Sequence, residues 1–391
     1  MARILFAWEM GDHFGHLLSY RALIEDLVRD GHEVVFYVKR MHSARQVYER
    51  TGVRLCEIPP LLLPDKPPYP QPNSYAEILL NTAFHDASQA RERVAAWRRI
   101  LRDEHPDRIV FDFSPTAMLA NRGLGIPALV AGNTFYTPPA VTPLPALRYW
   151  EAPDRERLNA NEARLLDSLN ASLNGAEQAL RSVADLFELP VVLRTFPELD
   201  HYPGREHGRY VGSFPPPNYG VPAAWPAIEG PRVFAYLQPC PGTAAVLAEL
   251  SARPVAVLVY GPDLLHDGQP PRLASHIRFL EAPAQMASVT AEADIVITNG
   301  NLGSTAAALA AGRPVLMAPN TLEKYVVARR VEAFGAGLAV TRQATHLTGA
   351  KLTALLGQRS YRRAAGQFRE KYASWSAITQ LQAMRAALDS L

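Results

Sequence analysis

The chain has 391 residues, 48% of them hydrophobic and 20% charged, with a formal net charge of +2. That length accommodates two domains of ordinary size, and the balance excludes a disordered chain. That charge argues neither for nor against nucleic acid; no basic tract carries interleaved aromatics, and nucleic acid is not expected as a partner.

Strand-like and helix-like runs alternate from the first residues, the pattern of a parallel sheet covered by helices. Arg3 to Trp8 predicts a strand, His16 to Arg29 a helix stopped by Gly31-His32, and Glu33 to Val38 and Arg54 to Ile58 two further strands. The proline-rich run from Pro59 to Asn73 predicts a surface loop. Tyr75 to Glu104 reads as one helix, whose Arg91, Arg93, Arg98, Arg99 and Arg102 fit a solvated face. Strands follow at Ile109 to Phe113 and Ala128 to Ala131. Arg155 to Phe187 reads as an amphipathic helix with Leu158, Leu165, Leu166 and Leu169 on one side.

Phe214 to Pro231 carries proline at a density that stiffens a linker and excludes regular structure. The alternation then restarts, with strands at Val233 to Leu237, Val255 to Tyr260, Ile277 to Leu280, Ile295 to Thr298 and Val315 to Ala318. Three helical segments from His346 to Leu391 close the chain. The expected organisation is an N-terminal domain over 1–213, a linker over 214–231, and a C-terminal domain over 232–372. A last helix over 373–391 packs back on the N-terminal domain.

Cys56 and Cys240 fit no C-x-x-C pattern and read as reduced thiols. Glu9 and Asp12 interrupt the first apolar run, and no run approaches membrane-spanning length. A cytoplasmic protein is expected.

The segment from Ala293 to Tyr325 says most about chemistry. A buried strand (Ile295, Val296, Ile297) runs into a turn with Asn299, Gly300 and Asn301, and Gly303-Ser304-Thr305 opens an alanine-rich helix. A small-residue turn at a helix N-terminus leaves backbone N–H groups free and suits a phosphate. Equally, any α/β unit needs small residues where helix meets strand.

Two stretches resemble the GT-B-fold UDP-glycosyltransferase superfamily, which includes the macrolide and natural-product glycosyltransferases. Gly15 to Val34, G-H-L-L-S-Y-R-A-L-I-E-D-L-V-R-D-G-H-E-V, is similar to its opening G-H-x-x-P, leucine-bearing helix and G-H-x-V. The segment after Ala293, with A-R-R-V-E-A-F-G-A-G from Ala328 to Gly337, is similar to its donor box H-G-G-x-G-T-x-x-E-A-L-A-x-G-x-P followed by P-x-x-x-D-Q. The resemblance implies an α/β GT-B fold, two Rossmann-like doubly wound parallel-sheet domains facing across a cleft.

It also implies an inverting, metal-independent transfer of a sugar from a nucleotide-diphosphate donor, UDP- or dTDP-linked, to a small-molecule or lipid-like acceptor hydroxyl or amine. No cofactor is implied beyond that co-substrate. His16 falls on the family's general-base position, with His13 in the same loop as runner-up. Asp112 stands where the family places the carboxylate that orients the imidazole; read alone, it equally suits a helix N-cap before Ser114-Pro115.

The donor box departs from the family pattern. Asn299 replaces the histidine that donates to the diphosphate, Asn301 the second glycine, and Ala307 the ribose-binding glutamate; Glu323-Lys324 replaces D-Q. Asn299 retains an amide N–H for the donor, and Gly242-Thr243 is expected to add donors from a facing loop. Phe84, His85, Phe113, Phe135 and Tyr136, with Tyr149 and Trp150, fall in the segments that build the acceptor pocket, or are core. The same departures suit an alternative, a GT-B homologue with a degenerate donor box that serves as a non-catalytic binding or partner protein, or runs a non-glycosyl or epimerase-type reaction.

Overall fold

The computed structural model describes every residue except 12–13, 174–178, 217–218, 267–268 and 270. The chain divides into two compact units: Met1–Arg194 with Tyr202–Val211 and Leu381–Leu391, and Thr195–His201 with Gly212–Gln380.

In the first unit β1 (Arg3–Trp8), α1 (Gly15–Arg29), β2 (Glu33–Val38), α2 (Met41–Tyr48) and β3 (Arg54–Glu57) follow the predicted alternation. Next come α3 (Tyr75–Leu80), α4 (Ala87–Glu104), β4 (Arg108–Asp112), α5 (Pro115–Asn121), β5 (Ala128–Gly132), α6 (Arg155–Ala171), β6 (Val191–Leu193) and β7 (Arg209–Tyr210). The strands form one sheet in the order β3-β2-β1-β4-β5-β6-β7, parallel throughout. A sheet covered on both faces needs near-continuous apolar strands, and Ile4 to Trp8 are accordingly all buried. Leu17, Tyr20, Ile24 and Leu27 recur at helical spacing on α1 and pack on the sheet with Phe6, Phe36 and Val110.

Three expectations are corrected here. The single helix over 75–104 is two: Asn81 ties back to Tyr69, and Asp86 then starts α4 by accepting from the amides of Ser88 and Gln89. The helix expected over 155–187 ends at Ala171, and Val183–Phe187 forms a 3-10 turn of its own. Arg93 leaves the solvated face entirely; it is buried and pairs with Glu9 at 3.0 Å. A guanidinium can be buried when a carboxylate meets it, and charge periodicity does not reveal the partner.

The second unit contains β8 (Arg232–Tyr236), α7 (Pro241–Ser251), β9 (Ala256–Tyr260), β10 (Ile277–Leu280), α8 (Met286–Glu292), β11 (Ile295–Thr298) and α9 (Leu302–Ala310). It continues through β12 (Val315–Met317), α10 (Leu322–Ala333), β13 (Gly337–Ala339), α11 (Thr348–Gly357), α12 (Arg359–Lys371) and the start of α13 (Ala377–Asp389). Its sheet runs β10-β9-β8-β11-β12-β13, again parallel. Ala306, Ala308 and Leu309 bring α9 close against that sheet.

Thr195–His201 joins this unit because Phe196 is fully buried against Phe214, Phe368, Tyr372 and Trp375, with ring centroids 4.6–5.7 Å apart. The proline-rich run also lies in it, and Val221 exchanges backbone hydrogen bonds with Pro283 and Gln285. Leu381–Leu391 belongs to the first unit, where Arg385 bonds Asp26 and Asp30 of α1 and its C-cap. Among the described residues, no helix is long and apolar enough to cross a membrane.

Candidate active site

Parallel strands deliver their carboxyl ends to one edge of a sheet, and both groups of candidate residues sit at such edges. In the first unit β1 and β4 are neighbours with Trp8 opposite Asp112, so the chain leaving β1 and the last residue of β4 meet. His16, in the first turn of α1, points into that meeting place and is 5% exposed. Its Nδ1 lies 2.8 Å from Asp112 Oδ2. Trp8 stacks on the imidazole with ring centroids 5.2 Å apart, and Tyr136 approaches from another side at 5.4 Å.

Asp112 does not cap α5. The carboxylate of Glu9 occupies that place, accepting from the backbone of Thr116 and Ala117 at 3.0 and 3.1 Å and from Trp97 Nε1 at 2.7 Å. Asp112 is thereby left to the imidazole. Gly11 completes the surroundings: its φ is +83°, and a Cβ placed on it would lie 2.4 Å from His16 Nε2. Only glycine lets the backbone pass so near that nitrogen. His13 lies outside the described residues.

Of the aromatic candidates, Phe113 and Tyr136 join His16: their rings stack 3.8 Å apart, and Phe113 holds a φ of +44°. Phe135 meets Tyr136 edge-on at 5.3 Å. Phe84 and His85 lie instead in the turn after α3, where Phe84 is buried, its carbonyl accepts from Ser168, and His85 Nδ1 contacts the Thr82 carbonyl. Tyr149 and Trp150 pack on each other.

Sequence reasoning missed Arg194, which follows β6 directly and is 7% exposed. Its Nη2 lies 3.5 Å from Asp112 Oδ2, and its Cζ lies 4.4 Å over the Tyr20 ring. A charge ending the apolar run V-V-L-R was the available signal.

At the carboxyl edge of the second sheet, Asn299 is fully buried as a tie between strands. Its Nδ2 donates to the Ala318 carbonyl at 2.6 Å and contacts Thr243 Oγ1 at 3.3 Å, and its Oδ1 accepts from the Gln238 backbone. The amide hydrogens expected to serve a donor are therefore spent inside the protein, because a buried amide must satisfy itself locally. Gly242 and Thr243 are likewise interior. A Cβ on Gly242 would meet Ala318 at 3.0 Å, and Thr243 Oγ1 donates to the Gln238 carbonyl at 2.7 Å.

Thr298 receives the Gly300 N–H at 2.9 Å and meets Thr305 at 3.2 Å, which shapes the turn into α9. Asn301 precedes that helix without capping it. Gly303 is exposed and Ser304 half-buried in the first turn, where helical amides have no intrahelical acceptor. Beside Gly300, whose Cβ would strike the Lys324 backbone at 2.6 Å, Lys324 is 3% exposed. Its Nζ donates to Gln238 Oε1 and, at 2.9 Å, to Asn320 Oδ1, both neutral amides. Burial lowers its pKa from the ordinary lysine range, against a smaller raising effect of half-buried Glu323. Lys324 is thus a buried cation in the first turn of α10, where the helix dipole is itself positive.

Comparison with known proteins agrees with this architecture. Residues 271–384 match the family described as the C-terminal domain of erythromycin biosynthesis protein CIII-like proteins. The chain is 26% identical to 4'-demethylrebeccamycin synthase of Lentzea aerocolonigenes, over 96% of this chain and 97% of that protein. A solved glycotransferase of kitacinnamycin aligns over 99% of this chain and 97% of its own, with a TM-score of 0.72 at 18% identity. The spinosyn rhamnosyltransferase SpnG, complexed with thymidine diphosphate, aligns over 99% of each chain with a TM-score of 0.66 at 15% identity. With two parallel-sheet Rossmann-like units behind these matches, the chain has the GT-B fold and is similar along its length to natural-product glycosyltransferases.

Proposed function

We propose that the protein transfers a sugar, with inversion, from a nucleoside-diphosphate donor to a small or lipid-like acceptor, His16 serving as the general base. The observation that carries this reading is the 2.8 Å contact between His16 Nδ1 and Asp112 Oδ2 beside a glycine that leaves Nε2 unobstructed by a side chain. A carboxylate on Nδ1 favours the tautomer with the proton there, so Nε2 carries the lone pair a base needs. The acceptor O–H proton passes to Nε2 as its oxygen bonds to the anomeric carbon. The bond from that carbon to the β-phosphate oxygen breaks, and the nucleoside diphosphate leaves with the electron pair.

The stacked Phe113 and Tyr136 suit a flat or apolar acceptor. On the donor side, the first-turn amides at Gly303 and Ser304 and the ammonium of Lys324 offer positive potential to the leaving diphosphate, so the step asks for no metal. Glu323 supplies a carboxylate for sugar hydroxyls.

Incubation with UDP- and dTDP-sugars and a panel of aromatic and lipid-like alcohols, read by mass spectrometry, tests the reading. A glycosylated product of inverted configuration, still formed in EDTA and lost in His16→Ala, is the expected result. Product formed equally by His16→Ala would remove the histidine from the reaction.

A further inference from the structure

We infer that Arg194 is a positioning residue that sets the proton affinity of His16 through the carboxylate they share. The inference rests on the proposed role of His16 for its functional meaning, but not for its test. Asp112 Oδ2 is contacted from two sides, by His16 Nδ1 at 2.8 Å and by Arg194 Nη2 at 3.5 Å. All three side chains are under one tenth exposed, so their charges act on one another with little screening. Arg194 is held in place from two sides: its backbone N–H bonds the Gly132 carbonyl at 2.9 Å, and its guanidinium covers the Tyr20 ring.

The charge balance gives the direction. With a lone buried carboxylate beside it, the imidazole would gain by taking a proton, because the pair would then be neutral. The guanidinium is charged at every working pH and already neutralises Asp112. Protonating His16 would leave the trio with one uncompensated buried positive charge. Arg194 therefore keeps the imidazole neutral to lower pH, which is the form a base needs, while keeping Asp112 ionised. The contact is of Coulomb type: Arg194 Nε and Asp112 Oδ1 are both buried without a hydrogen-bond partner, so no two-pronged fork forms. A lysine can then stand in for the arginine.

The other groups around the trio do not supply this charge. Trp8 and Tyr136 present rings, and burial holds the Tyr20 and Tyr48 hydroxyls protonated well above their ordinary range. Arg21 and Glu25 of α1 pair with each other at 2.8 Å. Lys39 Nζ donates to the Gly11 carbonyl at 3.2 Å, and its contact is with that backbone oxygen.

The test is an NMR titration of the full-length protein carrying labelled histidine, with His16 assigned by its loss in His16→Gln. In Arg194→Met the titration midpoint of His16 should rise by about one pH unit or more, a tenfold gain in proton affinity. In Arg194→Lys it should stay within about 0.3 of the parent protein. Arg194→Gln serves in place of the methionine variant should that one fail to fold. An unchanged or lowered midpoint in the uncharged variant, or an equal rise with lysine, overturns the inference. The readout needs no substrate, so turnover retained by His16→Ala would sink the base assignment and leave this result standing.

Discussion

Trp8 and Asp112 stand opposite each other on adjacent parallel strands, and that one register joins His16 to its carboxylate across 96 residues of sequence. The strand ends fix both groups: β1 leads through Gly11 into α1, and β4 stops at Asp112 because Phe113 adopts a left-handed conformation. Trp8 and Tyr136 pack on the imidazole of the resulting pair, and Phe113 stacks on Tyr136 behind it.

His16→Ala should lower kcat by about 10²–10⁴-fold, the usual range for a lost general base, with nucleotide binding retained. Asp112→Asn should fall in the same direction, because an amide can hold the imidazole in the wrong tautomer. Steady-state kinetics beside calorimetric nucleotide titration separates the two effects. Equal loss of nucleotide affinity in both variants would refute the division of roles.

Gly11→Ala should damage the same step by a different route. Its Cβ would lie 2.4 Å from His16 Nε2, and the φ of +83° adds strain of order 1–3 kcal/mol. Lower turnover with a thermal midpoint reduced by a few degrees is the predicted outcome. Parent-like kinetics would mean that Nε2 is not the reacting atom.

Asn299→Ala should act on stability and not on donor selectivity. Removing the amide leaves the Ala318 carbonyl and the Gln238 N–H buried and unpaired, each costing about 1–3 kcal/mol. Urea unfolding should report the loss. A stable variant with selectively weakened nucleotide binding would restore Asn299 to the donor contacts.

Lys324→Met should weaken nucleoside-diphosphate affinity by roughly tenfold or more, the scale of one charge-assisted bond, while leaving nucleoside binding nearly unchanged. Because burial lowers the pKa of Lys324, the parent protein's affinity should fall as pH rises through that lowered value, and the variant's should not. Over the same window the unfolded chain binds more protons than the folded one, so stability itself rises with pH. Calorimetry across pH 7 to 10 provides the check; parallel curves would exclude Lys324 from the diphosphate.

The strands were legible where largely apolar runs of four to six residues stand out from their surroundings, as at Arg3 to Trp8 and Ile295 to Thr298. The three-residue strands Val191–Leu193 and Gly337–Ala339 and the two-residue β7 were not, because so few residues carry no period. The break between α3 and α4 escaped for a related reason: helical spacing persists across it, and only the Asn81 and Asp86 side chains interrupt the backbone ladder.

Sequence alone determined the alternating architecture and the residue types of the first unit's centre, since hydrophobic period and a helix-start histidine are local properties. Tertiary structure decided who pairs with whom. It turned Asn299 inward, buried Lys324 against neutral amides, and brought Arg194 to Asp112. Those outcomes depend on which strand ends become neighbours and on how each buried polar atom is satisfied, and neither is written in any local window of the chain.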